Sequence, residues 1–136
     1  MPHASAVHAT PVRVRYAETD ASGLAHHGSY WPWFELARVE WLRSEGIRYA
    51  DLERDGYHLA VVEAHIRYVA PARFDDALLV RTGLVDVRSR EATFVYEVVT
   101  DTAHPRQLAN GRTKHVCLRH GGLSKLPEAL RRLAGA

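Results

Sequence analysis

The sequence has one cysteine, one methionine and two lysines. A lone cysteine, Cys117, excludes an internal disulfide, and its apolar setting (HVCL) reads as an inert buried thiol. A reduced compartment, the cytoplasm, is the simplest inference. There is no excess of charge of one sign: 18 basic residues face 16 acidic ones, for a net charge of +2. No run of like charge forms a nucleic-acid tail. No apolar stretch approaches the length needed to insert into a membrane. The opening residues, MPHASAVHATP, lack the basic and apolar regions of a signal peptide. They are small and polar, so residues 1–10 read as a flexible N-terminus and 11–136 as one domain. Phosphate-binding and dinucleotide fingerprints are missing, as are GxSxG, HExxH and CxxC. The nine histidines are scattered without metal-ligand spacing, so no metal centre is expected.

What is present is concentrated between Tyr16 and Gly46. A polar loop from Tyr16 to Ser29 carries Glu18, Asp20, Ser22, His26 and His27, with Gly23 and Gly28. All three tryptophans, Trp31, Trp33 and Trp41, follow directly. Tyr30, Phe34, Ala37 and Trp41 recur at spacings of three and four, which predicts one buried helix face. Trp33 and Leu36 widen that face. Pro32 falls in the first turn, where its missing N–H costs nothing. Ser29 fits an N-cap and Gly46 the position past the C-terminus, which bounds the helix at about Ser29 to Glu45.

The rest of the chain reads as strands. Val12, Val14 and Tyr16 alternate with arginines in a first strand. Arg48 to Tyr57 is a connection with a helical turn at Ala50 to Arg54. From Ala60 to Tyr68 the alternation is that of a half-buried strand. Further strands run over Leu78 to Val87, Ala92 to Val99 and Leu108 to Leu118. Gly111, inside the last of these, marks a bulge or a close approach by a ligand. Pro127 to Leu133 closes the chain as a short helix. One strand, one long aromatic helix and four more strands imply an α+β fold. In it a curved antiparallel sheet of about five strands wraps the helix.

Asp20 is the sharpest candidate for chemistry. A carboxylate shortly before a helix N-terminus can act as base or nucleophile toward a carbonyl held by the helix N–H groups. The same residue also fits an Asx turn that only shapes the loop. Glu18 reads as a solvated loop residue, and Glu35 and Arg38 as an i,i+3 surface pair. Sixteen of the eighteen basic residues are arginine, which suits phosphate binding or a composition bias.

YAETDASGLAHHGSY, followed by an aromatic helix with ELARVEWL, resembles the 4-hydroxybenzoyl-CoA thioesterase family, in particular its YbgC-like acyl-CoA thioesterase branch. The matching pattern is Thr19-Asp20, the small residues Ala21-Ser22-Gly23, the apolar pair Leu24-Ala25, and His27 to Tyr30. A second block, RYVAPARFDD at Arg67 to Asp76, resembles that branch's strand-and-turn segment. The resemblance spans Val12 to Leu118 and implies a hotdog fold. It further implies a homodimer joined edge to edge, often paired into a homotetramer, with active sites at the subunit interface.

By the same resemblance Asp20 is the catalytic aspartate. His27 supplies the backbone N–H that polarises the thioester carbonyl, with Gly28 and Tyr30 beside it, and its ring can assist. His26 stands where relatives often carry an aromatic residue. The activity implied is hydrolysis of an acyl-CoA to a carboxylic acid and free CoA, with no cofactor beyond the CoA of the substrate. An acyl-carrier-protein thioester is a further possible substrate. Arg67, Arg73, Arg88 and Arg90 are candidates to meet the CoA phosphates. Two rivals stand beside this reading: an acyl-thioester hydratase or dehydratase, whose loop pattern D-x-N-P-x-H is missing here, and a non-catalytic acyl-thioester binder.

Overall fold

The computed structural model describes residues 7–133. Five long strands form one antiparallel sheet: β1 (Val7–Arg13), β2 (Tyr57–Tyr68), β3 (Ala77–Val85), β4 (Glu91–Thr100) and β5 (Gln107–Arg119). Their order is β1-β3-β4-β5-β2, and a two-residue strand, β6 (Gly122–Leu123), pairs with β5. Three helices complete the fold: α1 (Tyr30–Ser44), α2 (Tyr49–Arg54) and α3 (Glu128–Leu133). The sheet curls around α1, as the pattern of strands and helix predicts. Phe34, Ala37 and Trp41 are fully buried, and Tyr30 and Trp33 nearly so.

Helix α1 is held at its C-terminus by a Schellman motif. Gly46 takes φ +82°, its N–H meets Arg43 O at 3.0 Å, and the Ile47 N–H meets Leu42 O at 2.9 Å. The wider face is Trp33 and Leu42 rather than Leu36, which is exposed. Arg38 does not pair with Glu35; it donates to the Tyr96 hydroxyl at 3.3 Å.

Three expectations about the strands change. Of the N-terminal segment expected to be flexible, Met1–Ala6 lie outside the described residues, but Val7–Thr10 belong to β1. Seven consecutive pairings with β3, from Val7↔Gly83 to Arg13↔Ala77, supply ladder bonds that outweigh their weak composition. Tyr16 leaves that strand for a 3₁₀ turn (Tyr16–Glu18) and is exposed. In β2 the pairing with β5 slips between Val61 and Glu63, so one extra residue enters the strand. The inward phase therefore switches from Leu59 to Ile66, an odd separation that strict alternation forbids. Strand β2 is an edge, and Val61 and Val62 stay about half exposed in the single chain.

Gly111 marks a close approach, but of protein rather than ligand. A Cβ there would lie 2.8 Å from the Phe34 ring and 2.6 Å from the His65 carbonyl oxygen. Phe34 stacks flat on Tyr96, the strand neighbour of Gly111, with ring centroids 4.1 Å apart. His120 and Gly121 both take positive φ, and the chain returns as β6.

Candidate active site

The loop from Tyr16 to Ser29 is fixed by backbone bonds that no local sequence rule specifies. Thr19 bridges Ala25, and Leu24 bridges Arg73. The Ala25 N–H reaches Ala72 O at 2.9 Å, and the Phe74 N–H reaches Gly23 O at 3.1 Å. The two sequence blocks thus form one small ladder. Gly23, at φ +80°, makes the tip.

Glu18 is buried, contrary to its reading as a solvated residue. Its carboxylate accepts from the Arg15 N–H at 2.7 Å, the Trp33 indole N–H at 2.9 Å and the Arg15 guanidinium at 3.3 Å. Burial by itself raises this carboxyl, but those bonds outweigh it and leave its pKa below the usual value. Its carbonyl takes the His26 N–H at 3.0 Å and the Ser29 hydroxyl at 2.8 Å. Ser29 precedes α1 but does not cap it with its side chain. Its single hydroxyl proton goes to Glu18, so the His26 Nε2, 3.1 Å away, is the donor to Ser29.

Asp20 is exposed and shapes an Asx turn. Its Oδ1 accepts from the Ser22 hydroxyl at 2.6 Å, the Ser22 N–H at 2.9 Å and the Leu24 N–H at 3.3 Å. The Ser22 hydroxyl, then the Ser22 N–H, hold its pKa below the ordinary aspartate value. All three donors take Oδ1. Oδ2 has no partner among the described residues, so the turn leaves one carboxylate oxygen available.

Asp20, His27 and Tyr30 line one groove of about 410 Å³, closed on its other side by Tyr68 to Pro71. His27 opens a 3₁₀ turn (His27–Ser29) that runs into α1. Among the described residues, nothing accepts a hydrogen bond from the N–H of His27 or Gly28. Tyr68 was not singled out from the sequence, yet it orders this end. Its hydroxyl donates to His27 O at 3.0 Å, and its ring lies 4.7 Å from the His27 ring and 5.1 Å from Tyr30. Its place in RYVAP was the one available signal. Burial raises the pKa of the Tyr30 and Tyr68 hydroxyls, so both stay protonated at neutral pH.

The four candidate arginines are all exposed but do not converge. Arg73 flanks the loop through the Leu24 bridge, and Arg67 precedes Tyr68 on β2. Arg88 and Arg90 lie in the β3–β4 connection, at the opposite end of those strands within one chain.

A groove with a carboxylate on one side and free N–H groups at a helix entrance is suited to acyl-group chemistry. Residues 14–133 match the model of the thioesterase-like superfamily. The chain belongs to that family. Among its relatives, the acyl-CoA thioester hydrolase YbgC of Escherichia coli is 36% identical over 89 residues, covering 65% of this chain and 66% of the relative. The acyl-CoA thioesterase YbgC of Haemophilus influenzae is 32% identical over 109 residues, covering 79% and 78%. The crystal structure of protein TT1821 from Thermus thermophilus superposes with a TM-score of 0.87 at 37% identity, covering 94% of this chain and 95% of that one. The hotdog architecture expected from the resemblance is the one observed. No described helix is long and apolar enough to cross a membrane.

Proposed function

We propose that the chain is an acyl-CoA thioesterase that works through Asp20 and the entrance of α1. The observation that carries this reading is that Asp20 and His27 line one groove, with the N–H groups of His27 and of the next residue, Gly28, unpaired among the described residues. The thioester carbonyl oxygen is held by those N–H groups, which offset the charge that develops as the carbonyl is attacked. Water adds to the carbonyl carbon and its proton passes to Asp20. The tetrahedral intermediate then collapses, the C–S bond breaks, and CoA leaves as a thiol once its sulfur takes that proton. Direct attack by Asp20, giving a mixed anhydride that water cleaves, uses the same groups. All of these groups belong to the chain, with CoA arriving in the substrate; an acyl-carrier-protein thioester presents the same bond.

The catalytic unit in this reading is a homodimer, alone or paired into a tetramer. Support comes from β2, a twelve-residue edge strand with Val61 and Val62 exposed, of the kind proteins seldom leave bare. In this reading Arg67, which precedes Tyr68 on β2, and Arg73, which bridges Leu24, meet the CoA phosphates beside the groove of their own chain. Arg88 and Arg90 lie at the end of the sheet that a copy paired along β2 approaches.

The test is release of free thiol from a panel of acyl-CoAs by the purified protein, and its loss in Asp20→Asn. Release of thiol separates this activity from hydration, which leaves the thioester intact, and from simple binding. Tight binding of acyl-CoA with no thiol released would overturn the proposal.

A further inference from the structure

A second cavity, of about 530 Å³, opens between α1, α2 and the N-terminal half of β2. Val39, Leu42 and Leu59 give it an apolar wall, and Arg38 and Glu35 bring charge to it. Arg38 is half-buried and makes no ion pair among the described residues, although Arg43 pairs with Glu40 and Arg48 with Asp51 beside it.

Arg38 is also anchored. It donates to the Tyr96 hydroxyl at 3.3 Å; that hydroxyl lies 2.6 Å from Thr113 Oγ1, which lies 2.8 Å from His115 Nε2. His115 Nδ1 faces Leu59 O at 3.3 Å. A carbonyl only accepts, so Nδ1 carries the proton of a neutral ring and Nε2 accepts from Thr113. Thr113 in turn accepts from Tyr96, whose oxygen remains open to Arg38. The relay fixes one guanidinium N–H, and the other donors of Arg38 have no partner among the described residues.

We propose that this cavity receives the far end of the acyl group, and that Arg38 selects acyl groups carrying a hydroxyl or carbonyl oxygen there. The inference rests on the thioesterase reading and on pairing along β2. Within one chain, Tyr30 and Arg38 stand about 12 Å apart along α1. The buried Phe34–Tyr96 stack fills the space between them. A two-fold pairing of β2 instead runs its N-terminal half, with Leu59 and Val61, along the C-terminal half of the other copy, where the Tyr68 groove begins. The cavity of one chain then continues the Asp20 groove of the next. Arg43 and Arg48 also line the cavity but pair with Glu40 and Asp51, so the carboxylates of Glu35 and Glu53 favour a neutral oxygen over an anionic one at Arg38.

The test compares matched pairs, 4-hydroxybenzoyl-CoA with benzoyl-CoA and ω-hydroxyoctanoyl-CoA with octanoyl-CoA. The wild type should favour the oxygenated member of a pair. Arg38→Met should lower kcat/KM for that member by ~10–100-fold, the worth of one charged hydrogen bond, and for the plain member much less. Equal losses on both members, or no wild-type preference in either pair, would overturn the selection. A mixture of Asp20→Asn and Arg38→Met chains, refolded together, should regain about a quarter of the wild-type sites, because random pairing leaves one intact site in each mixed dimer. Activity no higher than the sum of the parents would overturn the shared site. If the wild type releases no thiol at all, the thioesterase reading fails separately. Calorimetric binding of the same pairs to Asp20→Asn, with and without Arg38→Met, then decides the cavity: a preference lost with Arg38 supports it, and equal affinities reject it.

Discussion

The indole N–H of Trp33 donates to the Glu18 carboxylate at 2.9 Å, tying the first turns of α1 to the loop that carries Asp20. The same carboxylate holds the Arg15 N–H, and the Glu18 carbonyl holds Ser29 and His26. Four points of the loop thus depend on one buried residue. Glu18→Ala strands the buried Trp33 indole N–H and the part-buried Arg15 N–H and should cost about 2–3 kcal/mol in urea unfolding. Trp33→Phe should show a coupling to it of more than ~0.5 kcal/mol in a double-mutant cycle. Additive losses would mean that the bond holds nothing together.

Asp20→Asn keeps the shape of the turn but supplies neither base nor nucleophile. It should lower kcat by at least ~10²–10⁴ on an acyl-CoA that the wild type hydrolyses. His27→Ala keeps the backbone N–H and should lose only ~10–100-fold. If His27→Ala were as inactive as Asp20→Asn, the imidazole would be the base.

The Ser22 hydroxyl stabilises the ionised Asp20 carboxylate, so the acid limb of the kcat/KM profile should lie below the ordinary aspartate value of 3.8. Ser22→Ala removes that hydroxyl, raises the pKa, and should move the limb to higher pH. A limb that does not move would show that another group controls it.

His115 is fully buried, and burial pushes its pKa from 6.5 down to about 4. The folded state thus holds the ring neutral while the unfolded chain binds a proton. The stabilising effect is present above pH 6.5 and is lost as the pH falls toward 4. At ~1.4 kcal/mol per unit the loss is about 3 kcal/mol. Glu18, with a lowered pKa, adds a second loss below 4.5. Unfolding free energies measured between pH 7 and pH 4 should show the first slope, and His115→Gln should flatten it.

Gly111→Ala places a methyl against the Phe34 ring and the His65 carbonyl. It should destabilise the protein by about 1–3 kcal/mol, because the backbone oxygen cannot move aside. A shift in thermal midpoint too small to measure would show that the sheet yields there.

The sequence by itself determined the helix and its buried face. Spacings of three and four depend only on helix geometry, and Gly46 ends the helix through its own backbone freedom. It also placed the strands and singled out Asp20, because alternation and turn chemistry are local. The β2 bulge was hidden: one inserted residue shifts the phase without changing composition. Glu18 was misread because its partners, Trp33 and the turn around Arg15, come together only when the loop folds onto α1. Tyr68 reached the site across 41 residues of chain, through a bond to the His27 carbonyl that no spacing rule encodes. The cavity at Arg38 likewise needed Tyr96, Thr113 and His115 from two strands. Local geometry wrote the elements, and the distant pairings that bury polar groups decided which of those residues line the groove and the cavity.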